Sequence, residues 1–277
     1  MILENEKIKL APNSALHKTD VISSVFCQDN LDLLKSQPDE SVDLIYCDIL
    51  YGTGRNFGDF QDLKPIRSEI EAHYLPRLKE MHRVLKSTGS IYLQMDTKIN
   101  HWIRCLMDDV FGYDKFQCEI IWTYGSGLKA KANKFHSHHD SILFYSKENN
   151  HVFNHQFIKL DKPSKRWKTS TINGKNVPTR DENGVQETYF VDKQKIGNVW
   201  NDIPMRRNGI LYKTEKPKAL IERIIKASSN EGDTVADYYL GSGTTAVVCK
   251  ELNRNFIGCD INPKAIEITN ARLNAGT

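Results

Sequence analysis

One stretch constrains the fold more than any other. In residues 234–252, TVADYYLGSGTTAVVCKEL, an apolar run passes Asp237, reaches the small residues Gly241, Ser242 and Gly243, and gives way at about Thr245 to a helix-like run. A strand that turns so tightly into a helix is half of a βα unit, the building block of a buried parallel sheet. The same alternation recurs along the chain. Strands are expected at 25–28 (VFCQ), 41–48 (SVDLIYCD), SIYLQM after Gly89, 118–124 (CEIIWTY), 141–146 (SILFYS), TVADYYL and NFIGCDI. Helices are expected at 30–36, 69–85, 100–111, 217–228, 245–252 and 263–273. In the second of these, Ile70, Tyr74, Leu78, Met81 and Leu85 share a face. Pro76 is expected to kink or split it, and Gly89 to end it. Continuous apolar strands alternating with helices predict an α/β, doubly wound, mostly parallel sheet.

Between about residues 147 and 205 the alternation fails. The segment is polar, with scattered Gly, Pro and Asn, and too long for a plain loop; it reads as an inserted region with irregular structure of its own. From Lys129 to Lys216 there are 17 Lys and Arg against 9 Asp and Glu, a surplus of 8, although the whole chain carries only +3. The flanks are therefore acidic and the middle basic, which suits a polyanion-facing segment on a separate scaffold. The 277 residues suffice for one large domain with an insertion. The six cysteines form no CxxC pair and mostly interrupt apolar runs, so they are expected to be small buried residues. No run approaches the roughly 18 apolar residues of a membrane span. The polar N-terminus lacks a signal core, which predicts a cytoplasmic protein.

The turn after Asp237 offers backbone N–H groups and a helix start to a ligand. Asp260, about 20 residues further at the end of NFIGCD, suits ribose hydroxyls. A nucleoside triphosphate is disfavoured because no lysine follows the glycines. Gly241, Gly243 and Ala246 fit a dinucleotide pattern, and S-adenosylmethionine fits as well, so the motif alone leaves both open. At a second strand end, Asp48 is followed by Ile49-Leu50-Tyr51-Gly52. A carboxylate accepts hydrogen bonds from an amino group, and a tyrosine ring stacks on a planar base.

These pieces, in the order CQDNLDLL, SVDLIYCDILYGTGRNF, HHDSILFYSK, YKTEKPKALIERII, ADYYLGSGTTA and NFIGCDIN, resemble the amino-methylating (N6-adenine/N4-cytosine) DNA methyltransferases in which the catalytic block precedes the cofactor block. The resemblance implies a seven-stranded sheet with one antiparallel strand, the S-adenosylmethionine-dependent methyltransferase fold. The VFCQ strand would lie beside the C-terminal unit. It implies a catalytic half at 21–147, a target-recognition insertion at 148–212 and a cofactor-binding half at 213–277. Asp48 and Tyr51 match the ends of the family's Asp-Pro-Pro-Tyr tetrad, and the Ile49 carbonyl takes the second amino hydrogen. Asp29 would meet the cofactor's adenine, and Thr214, Lys216 and Pro217 the methionine carboxylate. Asp237, Gly241, Ser242, Gly243 and Thr244 would surround the methionine part, and Asp260 the ribose; Asn30, Asp48 and Asn262 complete the implied cofactor contacts. Asp rather than Ser at position 48 points toward adenine N6.

The tetrad here is Asp-Ile-Leu-Tyr. The missing prolines are expected to loosen it, because proline fixes φ and restrains its neighbour. Lys129, Lys131, Lys134, Lys165, Arg166, Lys168, Arg206 and Arg207 are the expected nucleic-acid contacts. The nearby His136, His138 and His139 have no cysteine partner at metal-ligand spacing, so no metal is expected. The implied partners are double-stranded DNA, a second copy of the chain and a cognate restriction endonuclease. A cytosine-N4 enzyme, an RNA methyltransferase and a catalytically weakened DNA-binding homologue stay open as alternatives.

Overall fold

The computed structural model describes residues 21–56, 61–125, 133, 135, 137–205 and 215–275. In chain order the elements are β1 (Ser23–Cys27), α1 (Asn30–Ser36), β2 (Val42–Asp48), α2 (Arg67–Val84), β3 (Leu85–Met95), α3 (Asn100–Phe111), β4 (Phe116–Thr123) and β5 (His139–Ser146). There follow β6 (Phe157–Trp167), β7 (Thr169–Ile172), β8 (Lys175–Pro178), β9 (Thr188–Lys195) and β10 (Val199–Trp200). The chain closes with α4 (Lys218–Ser228), β11 (Thr234–Asp237), α5 (Thr244–Glu251), β12 (Asn255–Asp260) and α6 (Pro263–Ala275).

The main sheet has the order β1-β12-β11-β2-β3-β5-β4-β10. Every pairing is parallel except those of β5, which runs antiparallel to both β3 and β4. The seven expected strands are present, with β1 beside β12 as implied. The two-residue β10 adds an eighth at the edge of β4. One apolar cluster packs α1, α2 and α3 on one face of the sheet, around Ile45, Cys47, Leu78 and Ile103. A second packs α4 and α5 on the other, around Leu44, Tyr46, Ile221 and Val248. Burial on both faces is why these strands read as unbroken apolar runs. Val235 and Ala236 of β11 pair with Leu44 and Ile45 of β2. Two segments almost 190 residues apart thus end side by side, where the sheet's winding changes direction and α/β folds place their sites.

Several local expectations are corrected. Pro76 lies inside α2, which nevertheless runs unbroken for 18 residues. The helix ends at Val84, before Gly89, with Leu85 as its C-cap. Gly89 instead lies in β3, where the pairing with β2 shifts register. A Cβ there would meet the Leu85 side chain at 2.6 Å and the Asp43 carbonyl at 2.9 Å. Cys47, Cys249 and Cys259 are buried, but Cys27 and Cys105 are exposed.

The middle segment is not irregular. It holds two antiparallel pairs, β6 with β9 and β7 with β8. The β7–β8 turn is Asn173-Gly174, both at positive φ, the pair that favours two-residue hairpins. β7 and β8 are exposed throughout, and β6 and β9 half-bury only a few positions, among them Ile158, Leu160 and Val191, so at most a short alternation marks them in the sequence. The segment is tied down at both ends. Asn154 donates its backbone N–H to the Ala227 carbonyl, and the Ile196 N–H reaches the Gln156 carbonyl at 3.0 Å. Residues 199–203 rejoin the sheet, with the Trp122 indole donating to the Ile203 carbonyl at 2.8 Å. No helix among the described residues is long and apolar enough to cross a membrane.

Candidate active site

A cavity of about 630 Å³ opens at the C-terminal ends of β1, β2, β11 and β12, within the range of small-ligand sites. Asp48, Ile49 and Tyr51 line one side of it; Asp29, Asn30, Lys216, Asp237, Gly241, Ser242, Thr244, Asp260 and Asn262 line the rest. The structure therefore brings together most of the expected site residues. Pro217 and Gly243 stand just behind the wall, as the N-caps of α4 and α5. Thr214 lies outside the described residues.

Asp48 closes β2. Its Oδ1 accepts the Tyr51 hydroxyl at 2.8 Å and its Oδ2 the Lys216 ammonium at 2.5 Å. Burial raises the Asp48 pKa; the Lys216 charge pulls it back, and the Asp140 charge raises it further. Lys216 also stands 5.2 Å from the Tyr51 ring centre. Tyr51 keeps its proton, because burial and two carboxylates push its pKa up. The second of those carboxylates, Asp140 of β5, was not singled out from the sequence. It is 3% exposed and accepts the same Tyr51 hydroxyl at 2.8 Å.

The loop after Asp48 lacks prolines and is tied to its surroundings by hydrogen bonds. The Ile49 N–H donates to the Gln94 carbonyl at 3.1 Å, and the Tyr74 hydroxyl to the Leu50 carbonyl at 2.9 Å. Buried Asp62 accepts the Gly52 N–H at 3.1 Å, the Thr53 N–H at 2.7 Å and the Thr53 hydroxyl at 2.5 Å. Gly52 has φ +62, and a Cβ on it would strike Ile99 at 2.7 Å. Hydrogen bonds thus supply the restraint that pyrrolidine rings would otherwise impose.

The other side of the cavity is built on the glycine bend. Gly243 has φ +77, and a Cβ there would lie 2.4 Å from the Thr269 hydroxyl. The Asp260 carboxylate accepts the Gly241 and Asn262 N–H groups, each at 2.9 Å. Those bonds leave acceptor capacity on both oxygens. Arg272 donates to the Ser242 carbonyl at 2.7 Å and reaches Glu215 at 3.3 Å, fastening the bend to the segment that carries Lys216. Asp237 accepts the Thr245 hydroxyl at 2.6 Å and the Tyr239 N–H at 3.0 Å. Its pKa is pushed up to about 7, chiefly by burial, with Asp48 and Asp260 adding to it.

Asp29 caps α1 by accepting the Leu31 N–H at 2.7 Å. Arg77, another residue missed from sequence, grips the same carboxylate at 2.9 and 3.1 Å and Asn30 at 2.5 Å. His73 beside it contacts the Tyr239 hydroxyl at 3.1 Å and has its pKa lowered to about 4 by burial first and Arg77 second, so it is neutral. Six carboxylates line the cavity, Asp29, Asp48, Asp62, Glu215, Asp237 and Asp260, against the cations Arg77 and Lys216, which suits a cationic ligand. The open bend and the Asp260 acceptors suit a nucleoside with free ribose hydroxyls. An S-adenosyl sulfonium combines both properties.

Of the expected nucleic-acid contacts, Lys165 and Arg166 are exposed on β6 and Lys168 just beyond it. Lys168 pairs with Glu187 at 2.8 Å. Lys165 sits opposite Phe190 and Arg166 opposite Tyr189 on β9, both aromatics exposed. Lys129, Lys131, Lys134, Arg206 and Arg207 lie outside the described residues, as does His136.

The architecture is that of the S-adenosylmethionine-dependent DNA methyltransferases. The chain belongs to the N6/N4 DNA methylase family, whose profile matches residues 42–271. It is 33% identical over 256 residues to the Type II methyltransferase M.HpaI of Haemophilus parainfluenzae, covering 91% of this chain and 74% of that protein. It is 34% identical over 257 residues to the DNA adenine methyltransferase YhdJ of Escherichia coli (strain K12), covering 90% and 82%. In fold it is similar to the cytosine-N4-specific PvuII DNA methyltransferase, with a TM-score of 0.64 at 16% identity over 92% of this chain and 87% of that one. It is also similar to M1.HpyAVI in complex with SAM, with a TM-score of 0.60 at 18% identity over 91% and 100%.

Proposed function

We propose that this chain transfers a methyl group from S-adenosylmethionine to adenine N6 in double-stranded DNA. The observation that carries the reading is the meeting of the Asp48–Tyr51 pair, bonded at 2.8 Å, with the glycine bend and Asp260 in one cavity. The chemical problem is the amine, whose lone pair is delocalised into the ring. An Asp48 oxygen and the Ile49 carbonyl accept its two hydrogens, draw the nitrogen toward a tetrahedral shape and stabilise the positive charge that grows on it. The cofactor supplies a methyl already activated on a sulfonium. Holding amine and methyl in line accounts for much of the remaining acceleration. Asp260 would hold the ribose, Asp29 the adenine end and the bend from Asp237 to Thr244 the amino-acid end, with Asn30, Asn262, Pro217 and Thr214 completing that half. The base leaves the duplex to enter, at a few kcal/mol. Stacking on Tyr51, worth about 1–3 kcal/mol, offsets part of this.

Asp at position 48 and the likeness to an adenine methyltransferase at 34% identity favour N6. We assign residues 148–212 to target recognition, between a catalytic half at 21–147 and a cofactor half at 213–277. The exposed pairing of Lys165 and Arg166 with Phe190 and Tyr189 suits phosphates and base edges. Lys129, Lys131, Lys134, Lys168, Arg206 and Arg207 extend the same basic surplus. The relatives named as Type II methyltransferases support a place in a restriction–modification system with a cognate endonuclease. The test is incubation with methyl-labelled cofactor and duplex DNA, single-stranded DNA or RNA, followed by nucleoside mass spectrometry. N6-methyladenine in duplex DNA is expected. N4-methylcytosine, labelled RNA or no product contradicts the proposal.

A further inference from the structure

The Tyr51 hydroxyl makes two short contacts, 2.8 Å to Asp48 Oδ1 and 2.8 Å to Asp140 Oδ2. A hydroxyl has one hydrogen to donate. With both carboxylates ionised, one contact would set lone pair against lone pair. With one further proton in the triad, both contacts are hydrogen bonds. The three oxygens thus form a chain with room for one proton beyond the Tyr51 hydrogen. Asp140 is placed with care for a residue outside the cavity wall. The Gln94 amide donates to its Oδ2 at 2.8 Å, and the Tyr124 hydroxyl to its Oδ1 at 3.0 Å. Gln94 is itself oriented by the Tyr46 hydroxyl, donating to its Oε1 at 2.7 Å. Tyr46 and Gln94 are buried, whereas Tyr124 is half-exposed and offers a way out.

We propose that Asp140 is the second carboxylate of the methyl-transfer centre, a relay residue that receives through the Tyr51 hydroxyl the proton shed by the methylated amine. The inference rests on the function proposed above. The amine, once methylated, carries one proton too many. Its N–H bond breaks, the electron pair returns to nitrogen and the proton passes to Asp48 Oδ1. As Tyr51 accepts that proton it gives its own to Asp140 Oδ2. Asp48 ends as a carboxylate, Tyr51 as a neutral phenol and Asp140 as a carboxylic acid, with charge balanced. While the methyl is arriving, the same arrangement turns the Tyr51 hydrogen toward Asp140 and leaves Asp48 a stronger acceptor for the amine.

The charged and titratable groups facing Asp48 are Lys216 from the segment before α4, Asp237 at the end of β11, Tyr46 on its own strand and Tyr51. Those facing Asp140 are Tyr51, Tyr124 at the end of β4 and Tyr46. Among these the Asp140 charge raises the Asp48 pKa. Neutralising it therefore makes Asp48 ionise at lower pH.

The test combines Asp140→Asn, Tyr51→Phe and the double variant in single-turnover methylation at saturating cofactor and DNA. An NMR titration of isotope-labelled aspartate carboxyls in the free protein accompanies it. Each single variant should slow transfer about tenfold or more, with cofactor and DNA affinities within about twofold of wild type. The double variant should be no slower than the slower single one, because both act through one hydroxyl. The Asp48 midpoint should fall in Asp140→Asn, because the carboxylate charge that raises it is gone. Wild-type rates in either single variant, multiplying effects in the double, or an unmoved Asp48 midpoint would overturn the relay. If Asp140→Asn does not fold, Tyr51→Phe alone decides, and a rate within about twofold of wild type refutes the relay. A wild-type protein that binds cofactor and DNA yet methylates nothing refutes the function itself; the titration needs no substrate and still decides the coupling.

Discussion

Asp48 is held by two groups against the effect of burial: burial raises its pKa, Lys216 pulls it back, and Tyr51 orients the carboxylate. Replacing it with Ala removes the acceptor on which the amine chemistry depends. Methyl transfer should fall by about 10²-fold or more, while cofactor affinity measured by calorimetry stays within about threefold of wild type. Transfer near the wild-type rate would refute the mechanism. Asp237 gives a pH prediction. In the free protein burial and its acidic neighbours raise its pKa to about 7, so below that pH the carboxyl is largely protonated. A cationic ligand favours the ionised form and displaces the proton. Cofactor affinity should therefore rise as pH climbs from about 6 to about 8, levelling off above the free-protein pKa. Calorimetry in buffers of different ionisation enthalpy should detect proton release on binding below pH 7; binding without proton release would contradict it. Asp48 and Asp260 were legible in the sequence because each ends an apolar strand, and Asp237 because it belongs to the glycine block that carries the family resemblance. Arg77, Asp62 and Asp140 were not, because a helix face, a loop and the start of another strand bring them in only through tertiary packing. For Asp140 the one available signal was its place directly before SILFYS, a carboxylate leading a buried run.

The elements that build the site differ in what they tolerate. Gly243→Ala meets both a positive φ and the Thr269 side chain at 2.4 Å. It should lower stability by about 1–3 kcal/mol in urea denaturation. Gly241, at φ +54, has nothing within 4 Å of an added Cβ and should lose only the backbone strain, about 1–2 kcal/mol. Equal stability of Gly243→Ala and wild type would mean that the bend is placed wrongly. Asp62→Ala releases three donors that hold the loop after Asp48. It should slow transfer about tenfold with little change in cofactor affinity, a loss of order 1–3 kcal/mol. Unchanged transfer would show that the loop needs no clamp. Strands buried on both faces were readable from composition. The β6–β9 and β7–β8 pairs were not, because strands that bury so little carry at most a short alternation, such as Ile158 and Leu160 in β6. The dipeptides Asn173-Gly174 and Asn183-Gly184 were the local turn signals of their presence.

At the scale of the whole molecule, the sheet carries the chemistry and the β6–β9 extension carries the exposed basic and aromatic surface. The bond between Gln156 and Ile196 brings the ends of that extension together. A short linker can therefore replace residues 157–195 without pulling on the sheet. The shortened protein should bind cofactor as wild type does and lose DNA affinity by about tenfold or more in fluorescence anisotropy at fixed salt. Undiminished DNA affinity would move the recognition surface elsewhere. The account as a whole depends on β2 and β11 ending side by side, so that a base held at Asp48 faces a cofactor held at Asp260. A crystal structure with S-adenosylhomocysteine tests this directly. The account predicts ribose hydroxyls on the Asp260 carboxylate, the adenine end toward Asp29 and the sulfur pointing at the Asp48–Tyr51 pair; a cofactor bound outside this cavity, or with its sulfur turned away from Asp48, would contradict it.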